Sequence, residues 1–478
     1  MVFSSLIFLC GFFPVFFLMY FLLKSRTAKN ILLFVFSVIF YAWGEVSYIW
    51  LLLFSIFINW LNAIFIDRAQ TNNRPVSAKI IFISGIVFNL LVIGVYKYAD
   101  FFTDIINQLF NLSLTHPNLP LPVGISFFTF QIMSYVIDVY RGDVKVQKNI
   151  FIVAVYLAAF PQLIAGPVVR YSTVENELLT RTESLAEVKA GLSRFIIGLS
   201  KKVLIANTVA LVADGILGGS ENPAQYGFFG VWIAVIAYTL QIYYDFSGYS
   251  DMVIGMGKMM GFHYLENFEH PYAAVNLTDF WRRWHISLSS FFRDYVYIPM
   301  GGNRVSKPRW ILNMLTVWTL TGLWHGAGMN FVLWGLYYGV LLILEKLLWG
   351  SFIKNIPVIR KVYTLFAVMI GWVIFRIEDI RNIPAVFSAM FGYYGFWGEN
   401  LSSVLIRSEA GIFFIIAVFA GIFLAGEAPK RISAWFKTKS ADHSFFSIIA
   451  DTGSVCLLIL CIIGLETGSY NPFIYFRF

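Results

Sequence analysis

The chain has 478 residues, of which 58% are hydrophobic and only 13% charged, and it carries a formal net charge of +8. Charged residues make up about 25% of an ordinary soluble domain, so this composition excludes a soluble globular protein. The positive-inside bias of membrane proteins accounts for the net charge. Because the basic residues are spread along the chain and not gathered on one face, no nucleic-acid partner is expected.

Apolar runs long enough to form membrane helices follow one another from the first residues onward. The windows that approach the roughly 20 apolar residues of a spanning helix are 5–23, 30–43, 48–66, 80–98, 150–166, 226–244, 311–325, 330–350, 360–376, 411–426 and 445–464, with less regular candidates at 121–139, 195–216 and 250–262. They predict an all-α integral membrane protein with roughly 10 to 13 membrane-embedded helices. Residues 1–100 contain no candidate catalytic group and are expected to form scaffold helices.

Asp245 lies in the run DFSGYSD at residues 245–251. Its carboxylate is able to orient a histidine or an arginine, and it is equally suited to cap a helix. The neighbouring serines lack the Gly-x-Ser-x-Gly context of a serine nucleophile.

His285 follows a cationic, aromatic run, DFWRRWH, at residues 279–285. If this segment is one helix, Arg282, His285, Ser289 and Arg293 share one face at about 100° per residue. Such a stripe is suited to bind an anion and to supply a catalytic hydrogen bond. The alternative is an interfacial helix whose arginines meet lipid headgroups and whose tryptophans form an aromatic belt.

His325 lies within an apolar stretch, and an ionisable group at membrane depth is a functional candidate by default. A neutral imidazole there is able to act as a general base toward a hydroxyl. The alternative is a structural histidine that bonds a neighbouring helix. The histidines lack metal-ligand spacing, and Cys10, Cys456 and Cys461 all lie in apolar windows, so no metal site is expected.

The longer motifs resemble those of the membrane-bound O-acyltransferase family, in particular its bacterial alginate O-acetyltransferase branch. The motifs are PVGISFFTF at 122–130, PQLIAGP at 161–167, DFSGYSD at 245–251, ENFEHPY at 266–272, DFWRRWHISLS at 279–289, RDYVYIPMGGNR at 293–304 and GLWHGA at 322–327. The resemblance covers nearly the whole chain. It implies one polytopic domain over 1–478, with a catalytic core over 120–350, C-terminal helices and an aromatic tail over 351–478, and helices arranged around a central tunnel.

The resemblance also implies roles for individual residues. His325 matches the catalytic histidine of the family, and His285 matches its second, upstream histidine. Acetyl-CoA is then the expected acyl donor, as a substrate and not a tightly bound cofactor. The residues expected to meet its phosphates are Arg282, Arg283, Arg293 and Arg304, with Lys307 nearby, because planar guanidinium groups suit phosphate oxygens. Asp245 and Asn330 are expected to support the site.

In the expected mechanism, His325 removes a proton from an acceptor hydroxyl, and His285 or a main-chain donor beside it stabilises the oxyanion. The resemblance implies a bacterial cytoplasmic (inner) membrane, contact with its lipids, and acetylation of an extracytoplasmic polysaccharide with the help of a Ser-Asp-His-type acetyltransferase. The C-terminal run NPFIYFRF at 471–478 contains Tyr475, which is either a relay for the acyl group or an interfacial anchor.

Other functions remain open at this point. Transfer of D-alanine or another acyl group from a carrier protein is the alternative within the enzyme class. A polytopic transporter would be expected to show two repeats with broken helices, and a structural scaffold would tolerate substitution of both histidines. The sequence does not identify the polysaccharide, the partner protein, the orientation in the membrane or the oligomeric state.

Overall fold

The protein is built from helices. The structure, a computed structural model, describes residues 1–218, 223–350, 356–398, 411–426, 443–467, 471 and 474, and all regular elements in these ranges are helical. The all-α fold is therefore confirmed. In chain order the α-helices are α1 (Phe13–Leu22), α2 (Arg26–Glu45), α3 (Ile49–Thr71), α4 (Pro75–Phe110), α5 (Ile125–Arg141), α6 (Ile150–Ala158), α7 (Phe160–Leu163), α8 (Tyr171–Thr180), α9 (Leu185–Ser200), α10 (Asn207–Leu217), α11 (Gly227–Met259), α12 (Leu277–Arg283), α13 (Ile286–Phe292), α14 (Lys307–His325), α15 (Met329–Leu344), α16 (Pro357–Arg376), α17 (Ile383–Met390), α18 (Gly411–Ala425) and α19 (His443–Thr467).

Several of these helices are long and apolar enough to cross a membrane. Among the described residues there are seven such helical stretches, at Arg26–Thr71, Pro75–Phe110, Leu185–Leu217, Gly227–Met259, Met329–Trp349, Pro357–Arg376 and Ile448–Thr467. The first of them contains two helices, α2 and α3, joined by a short 3-10 turn. Two shorter apolar helices lie at Phe8–Leu22 and Gly411–Ala425. The chain is thus a multi-pass membrane protein.

The described chain divides into two compact units, residues 1–195 with 252–265 and residues 196–251 with 266–478. In the first unit, phenylalanine rings from the N-terminal helices pack on Phe160, as in the contact with Phe16 at 5.1 Å between ring centroids. Arg181 is buried there; its guanidinium donates to Asn30 Oδ1 at 2.7 Å and to the Met260 carbonyl at 3.1 Å. The predicted boundaries at 100, 120 and 350, and the central tunnel, stay predictions.

The second unit has an aromatic core and a tight hairpin of α14 and α15. Trp281 packs edge-on against both Trp318 and Tyr338, with ring centroids 4.8 Å apart in each pair. A Cβ at Gly322 of α14 would collide with the Phe331 carbonyl of α15. Because the glycine has no side chain, the two helices approach closely, and this fixes the end of α14, where His325 lies.

Candidate active site

The segment around His285 is not one helix. Helix α12 ends at Arg283, His285 adopts a left-handed backbone with φ 45° and ψ 55°, and α13 begins at Ile286. The expected continuous helix is therefore wrong, and so is the single cationic face that was based on it. A non-glycine residue in this region costs about 1–3 kcal/mol, so neighbouring contacts have to hold it there.

Asn267 supplies those contacts. It is 2% exposed, and its main-chain carbonyl accepts the Ile286 N–H at 2.9 Å. Its side-chain Oδ1 accepts the Ser287 N–H at 3.1 Å and the Ser287 hydroxyl at 2.9 Å. The same hydroxyl lies 3.4 Å from His285 Nδ1. The start of α13 is thus attached to Asn267, and the histidine is held at the break.

Helix α12 is fixed at its start by a carboxylate from a distant part of the chain. Glu345, just after α15, is buried and accepts the N–H groups of Leu277 at 3.0 Å and Thr278 at 3.4 Å. The first N–H groups of a helix have no partner within the helix, and a negative charge there is favourable. Glu345 therefore sets the position of the helix that carries Arg282.

His325 is the last residue of α14, is 6% exposed, and sits among aromatic rings. Its ring centroid lies 5.0 Å from Trp324, 5.1 Å from Trp334 and 5.2 Å from Phe375. Asn330 donates to the Phe375 carbonyl at 3.0 Å, and so links α15 to α16 behind this ring. Asn330 is thus connected to His325 through Phe375.

Both histidines line one small cavity of about 160 Å³, called here the inner chamber. Both rings also contact Trp324, at 5.9 Å from His285 and 5.0 Å from His325. The remaining walls are mostly apolar. They are formed by Trp281, Trp284, Leu288, Ser289, Phe292, Arg293, Tyr297, Met314, Val317, Trp318 and Thr321. The structure therefore brings together two histidines that are 40 residues apart in the sequence.

A larger cavity of about 750 Å³, called here the outer cavity, adjoins the inner chamber. The two share five lining residues: Trp281, Ser289, Arg293, Tyr297 and Met314. The outer cavity is also lined by Thr278, Arg282, Ile286, Ser290, Trp310, Leu342, Glu345, Lys346 and Gly350. It thus combines three cationic side chains with aromatic ones.

The four predicted arginines separate into two groups. Arg282 and Arg293 line the outer cavity. Arg283 instead pairs with Asp279 at 2.9 Å along α12, and Arg304 lies in the turn before α14; neither is among the residues that line the two cavities. Lys346, which sequence reasoning missed, lines the outer cavity, and its ammonium group lies 4.4 Å from the centre of the Trp310 ring.

Asp245 has a different partner from the one expected. Its carboxylate pairs with Lys202 at 2.6 Å, and the two side chains are only 1% and 4% exposed. Its Oδ2 also accepts the N–H of Ile474, a buried residue of the C-terminal segment, at 2.9 Å. The adjacent Phe246 ring lies 6.3 Å from the His285 ring. Asp245 therefore holds Ile474, and its sequence neighbour Phe246 contacts His285, while Tyr475 itself lies outside the described residues.

Sequence reasoning missed Asn267, Glu345 and Lys346. Asn267 belongs to the motif ENFEHPY, which was a signal, but nothing in the sequence shows that an asparagine 18 residues before His285 bonds the two N–H groups that follow this histidine. Glu345 and Lys346 were missed because they follow an apolar helix and belong to no recognised motif. Within the described ranges, no group of three or more His, Cys, Asp or Glu side chains is placed to hold a metal ion.

Comparison with known proteins gives consistent similarities. A sequence model of the membrane-bound O-acyltransferase family matches residues 121–382. A probable alginate O-acetylase of Pseudomonas putida is 37% identical over 494 residues, covering 100% of both chains. A probable alginate O-acetylase of Pseudomonas syringae is 42% identical over 420 residues, 86% of this chain and 79% of the relative. A peptidoglycan O-acetyltransferase of Helicobacter pylori is 32% identical over 522 residues, 100% of this chain and 98% of the relative.

Proposed function

The chain belongs to the membrane-bound O-acyltransferase family and is an acyltransferase, and on that premise we propose that it transfers acetyl groups from acetyl-CoA for the O-acetylation of an extracytoplasmic polysaccharide. The observation that carries the proposal is the pair of histidines on one inner chamber that adjoins a larger cationic cavity. The relatives named for acetylation of alginate and of peptidoglycan support a polysaccharide as the final acceptor.

The outer cavity suits the nucleotide part of coenzyme A. Its volume of about 750 Å³ is within the range of sites for small organic ligands. Arg282 and Lys346 offer positive charge to phosphate groups, and so does Arg293, whose guanidinium also pairs with Asp294 at 2.7 Å. Guanidinium groups bind phosphate oxygens in pairs. Glu345 also faces this cavity, but its carboxylate is bonded to the start of α12. The thioester would then extend from the outer cavity toward the histidines.

In the inner chamber, His325 takes the proton of an acceptor hydroxyl as the hydroxyl oxygen attacks the thioester carbonyl. A carbon–oxygen bond forms, the carbon–sulfur bond breaks, and the proton held by His325 passes to the departing thiolate. A hydrogen-bond donor on the chamber wall stabilises the oxyanion in between. The apolar walls keep water away from the thioester, which would otherwise hydrolyse.

The setting of the reaction follows from the same resemblance. The protein is proposed to lie in the cytoplasmic membrane of a bacterium among its lipids, to take acetyl-CoA from the cytoplasmic side, and to work with an extracytoplasmic acetyltransferase of the Ser-Asp-His type. Either the polysaccharide or Tyr475 receives the acetyl group at the inner chamber.

The experiment that tests the proposal measures coenzyme A release from acetyl-CoA by purified protein in nanodiscs. His325→Ala is expected to reduce the rate by about 10²–10⁴-fold, the usual contribution of a general base. His116→Ala is the matched control, because His116 is an exposed histidine that pairs with Asp104. Equal rates for wild type and His325→Ala would refute the mechanism. Acyl transfer from an acyl carrier protein, with no coenzyme A released from acetyl-CoA, would refute acetyl-CoA as the donor.

A further inference from the structure

The orientation of the Asn267 side chain is fixed by its neighbours. The main-chain N–H of Ser287 is a donor only, and it lies 3.1 Å from the atom assigned as Oδ1. If the amide were rotated by 180°, an NH₂ group would face that N–H, and two donors would oppose each other. The atom that faces Ser287 is therefore the carbonyl oxygen, which only accepts hydrogen bonds.

This orientation determines where the hydrogen of the Ser287 hydroxyl points. A serine hydroxyl has one hydrogen, and here it is donated to Asn267 Oδ1 at 2.9 Å. The same oxygen therefore turns a lone pair toward His285 Nδ1, 3.4 Å away. A lone pair on Nδ1 would be repelled at that position, whereas an N–H on Nδ1 is attracted.

His285 carries a single ring proton. The ring is buried, and burial lowers the pKa of His285 to about 3, although a hydrogen bond to its own main chain opposes the shift. A neutral imidazole has one N–H and one lone pair. Since the proton is on Nδ1, the lone pair is on Nε2.

We propose that Asn267 and Ser287 are positioning residues that hold His285 as the Nδ1–H tautomer, so that its Nε2 accepts a hydrogen bond from the substrate. An oxyanion needs a donor, so His285 does not stabilise it, contrary to the sequence-based expectation. That donor has to come from another group on the wall of the inner chamber.

The proposed function narrows the identity of the group that His285 binds. The single hydrogen of the acceptor hydroxyl goes to His325, so the hydroxyl has none left for His285. The arm of an acyl-CoA carries amide N–H groups near the sulfur, and such a group is the donor that Nε2 accepts. His285 therefore binds the arm of the acyl donor. This step rests on the proposed donor; the tautomer does not.

The first test is nitrogen NMR of protein labelled with ¹⁵N-histidine in nanodiscs. The chain has six histidines, and the difference from a His285→Gln sample identifies the signals of His285. We expect protonated Nδ1 and unprotonated Nε2 in the wild type, a loss of this preference in Ser287→Ala, and its return in Ser287→Thr, which keeps the hydroxyl. Ser454→Ala is the control, because that serine lies on α19 and bonds its own helix.

The second test separates binding of the donor from the chemical step. Ser287→Ala is expected to raise the KM and the Kd for acetyl-CoA by about three- to tenfold, the effect of one lost hydrogen bond, and to change kcat by less than about threefold. Protonated Nε2 in the wild type, or a fall of kcat at unchanged KM, would overturn the proposal. If the wild type binds no acetyl-CoA, the proposed donor fails, while the NMR result still decides the tautomer.

Discussion

Glu345 shows how a single side chain positions part of the outer cavity. It is the acceptor for the first N–H groups of α12, the helix that ends next to His285. Glu345 therefore fixes the position of α12, and its carboxylate faces the start of this helix and not a ligand. This explains why a carboxylate is compatible with a cavity that is proposed to take phosphate groups.

Replacing Glu345 by alanine or by glutamine is expected to show whether the fold needs its acceptor oxygens or its negative charge. Glu345→Ala leaves the N–H groups of Leu277 and Thr278 without their acceptor, which costs about 1–3 kcal/mol and displaces Arg282. Glu345→Gln retains an acceptor oxygen, so its loss of folding free energy should be smaller. The measurements are the thermal midpoint in detergent and the KM for acetyl-CoA, with Glu378→Gln as an exposed control. Equal behaviour of the Ala and Gln variants would contradict this role.

The sequence drew attention to His325 because it lies in an apolar stretch, and to His285 because it follows a cationic, aromatic run. The residues that hold these histidines were not found from the sequence. The contacts of Asn267, Ser287 and Glu345 depend on a left-handed residue and on a contact across 68 positions, and neither feature is encoded in local periodicity. The break between the two helices at His285 was also missed, because the aromatic and arginine residues on both sides of it are compatible with a continuous helix.

At the scale of elements, the hairpin of α14 and α15 determines where His325 lies. Gly322 and Gly335 allow the two backbones to touch, since a Cβ on either would meet a carbonyl of the other helix. The position of His325 thus depends on contacts between two main chains, which adjust less easily to an added group than side chains do.

Gly322→Ala is expected to force α14 and α15 apart and to move His325. His325 is the proposed general base, and displacement of a catalytic group by about 1 Å can lower a rate by about 10²-fold, so kcat should fall by at least tenfold. The matched control is Gly94→Ala in α4, where an added Cβ meets no atom within 4 Å. Coenzyme A release is the readout, and a Gly322→Ala enzyme with wild-type kcat would show that the hairpin adapts.

A surface cluster in the first unit links stability to pH. His263 bonds Glu177 at 2.7 Å and Glu187 at 2.9 Å, and these hydrogen bonds raise its pKa above the ordinary value, chiefly that with Glu187. A raised pKa in the folded state means stability that is fully present below about pH 6.5 and is lost as the pH rises through the folded-state value. Lys258 is a further charge near Glu187.

The thermal midpoint of the wild type is therefore expected to fall between about pH 6 and pH 9, and His263→Gln should remove part of that fall. Because the three side chains are partly exposed to solvent, the difference should stay below about 1 kcal/mol. The measurement is a series of melting curves in detergent for both proteins. A midpoint that falls equally in wild type and variant would remove His263 as the cause.

For the whole molecule, composition and the length of the apolar runs were sufficient to predict an all-α membrane protein, because the bilayer imposes both. The bounds of the helices were harder to predict from the sequence. Helix Ile125–Arg141, for example, is almost wholly buried in protein, so no lipid-facing residues mark it. The hydrogen bond between Ile474 and Asp245 was not predictable from the sequence either, since the two residues are 229 positions apart.

Two residues of the C-terminal segment have defined partners: Ile474 is held by Asp245, and Asn207 donates to Asn471 at 3.0 Å. The proposed acyl relay through Tyr475 has a direct test. If Tyr475 is the relay, radiolabel from acetyl-CoA should appear on the wild-type protein and be lost in Tyr475→Phe. Phenylalanine keeps the aromatic ring, so the interfacial-anchor alternative expects both proteins to behave alike.

The turn at His285 sets a limit on how far the protein can be made more heat-resistant. Glycine would occupy that backbone conformation with less strain, yet it would offer nothing to the inner chamber. Under the proposed role of His285, a more stable fold and an active enzyme therefore favour different residues at position 285. An engineer who seeks a longer-lived enzyme should therefore leave this turn alone and begin at places such as Gly94, where a side chain would enter open space.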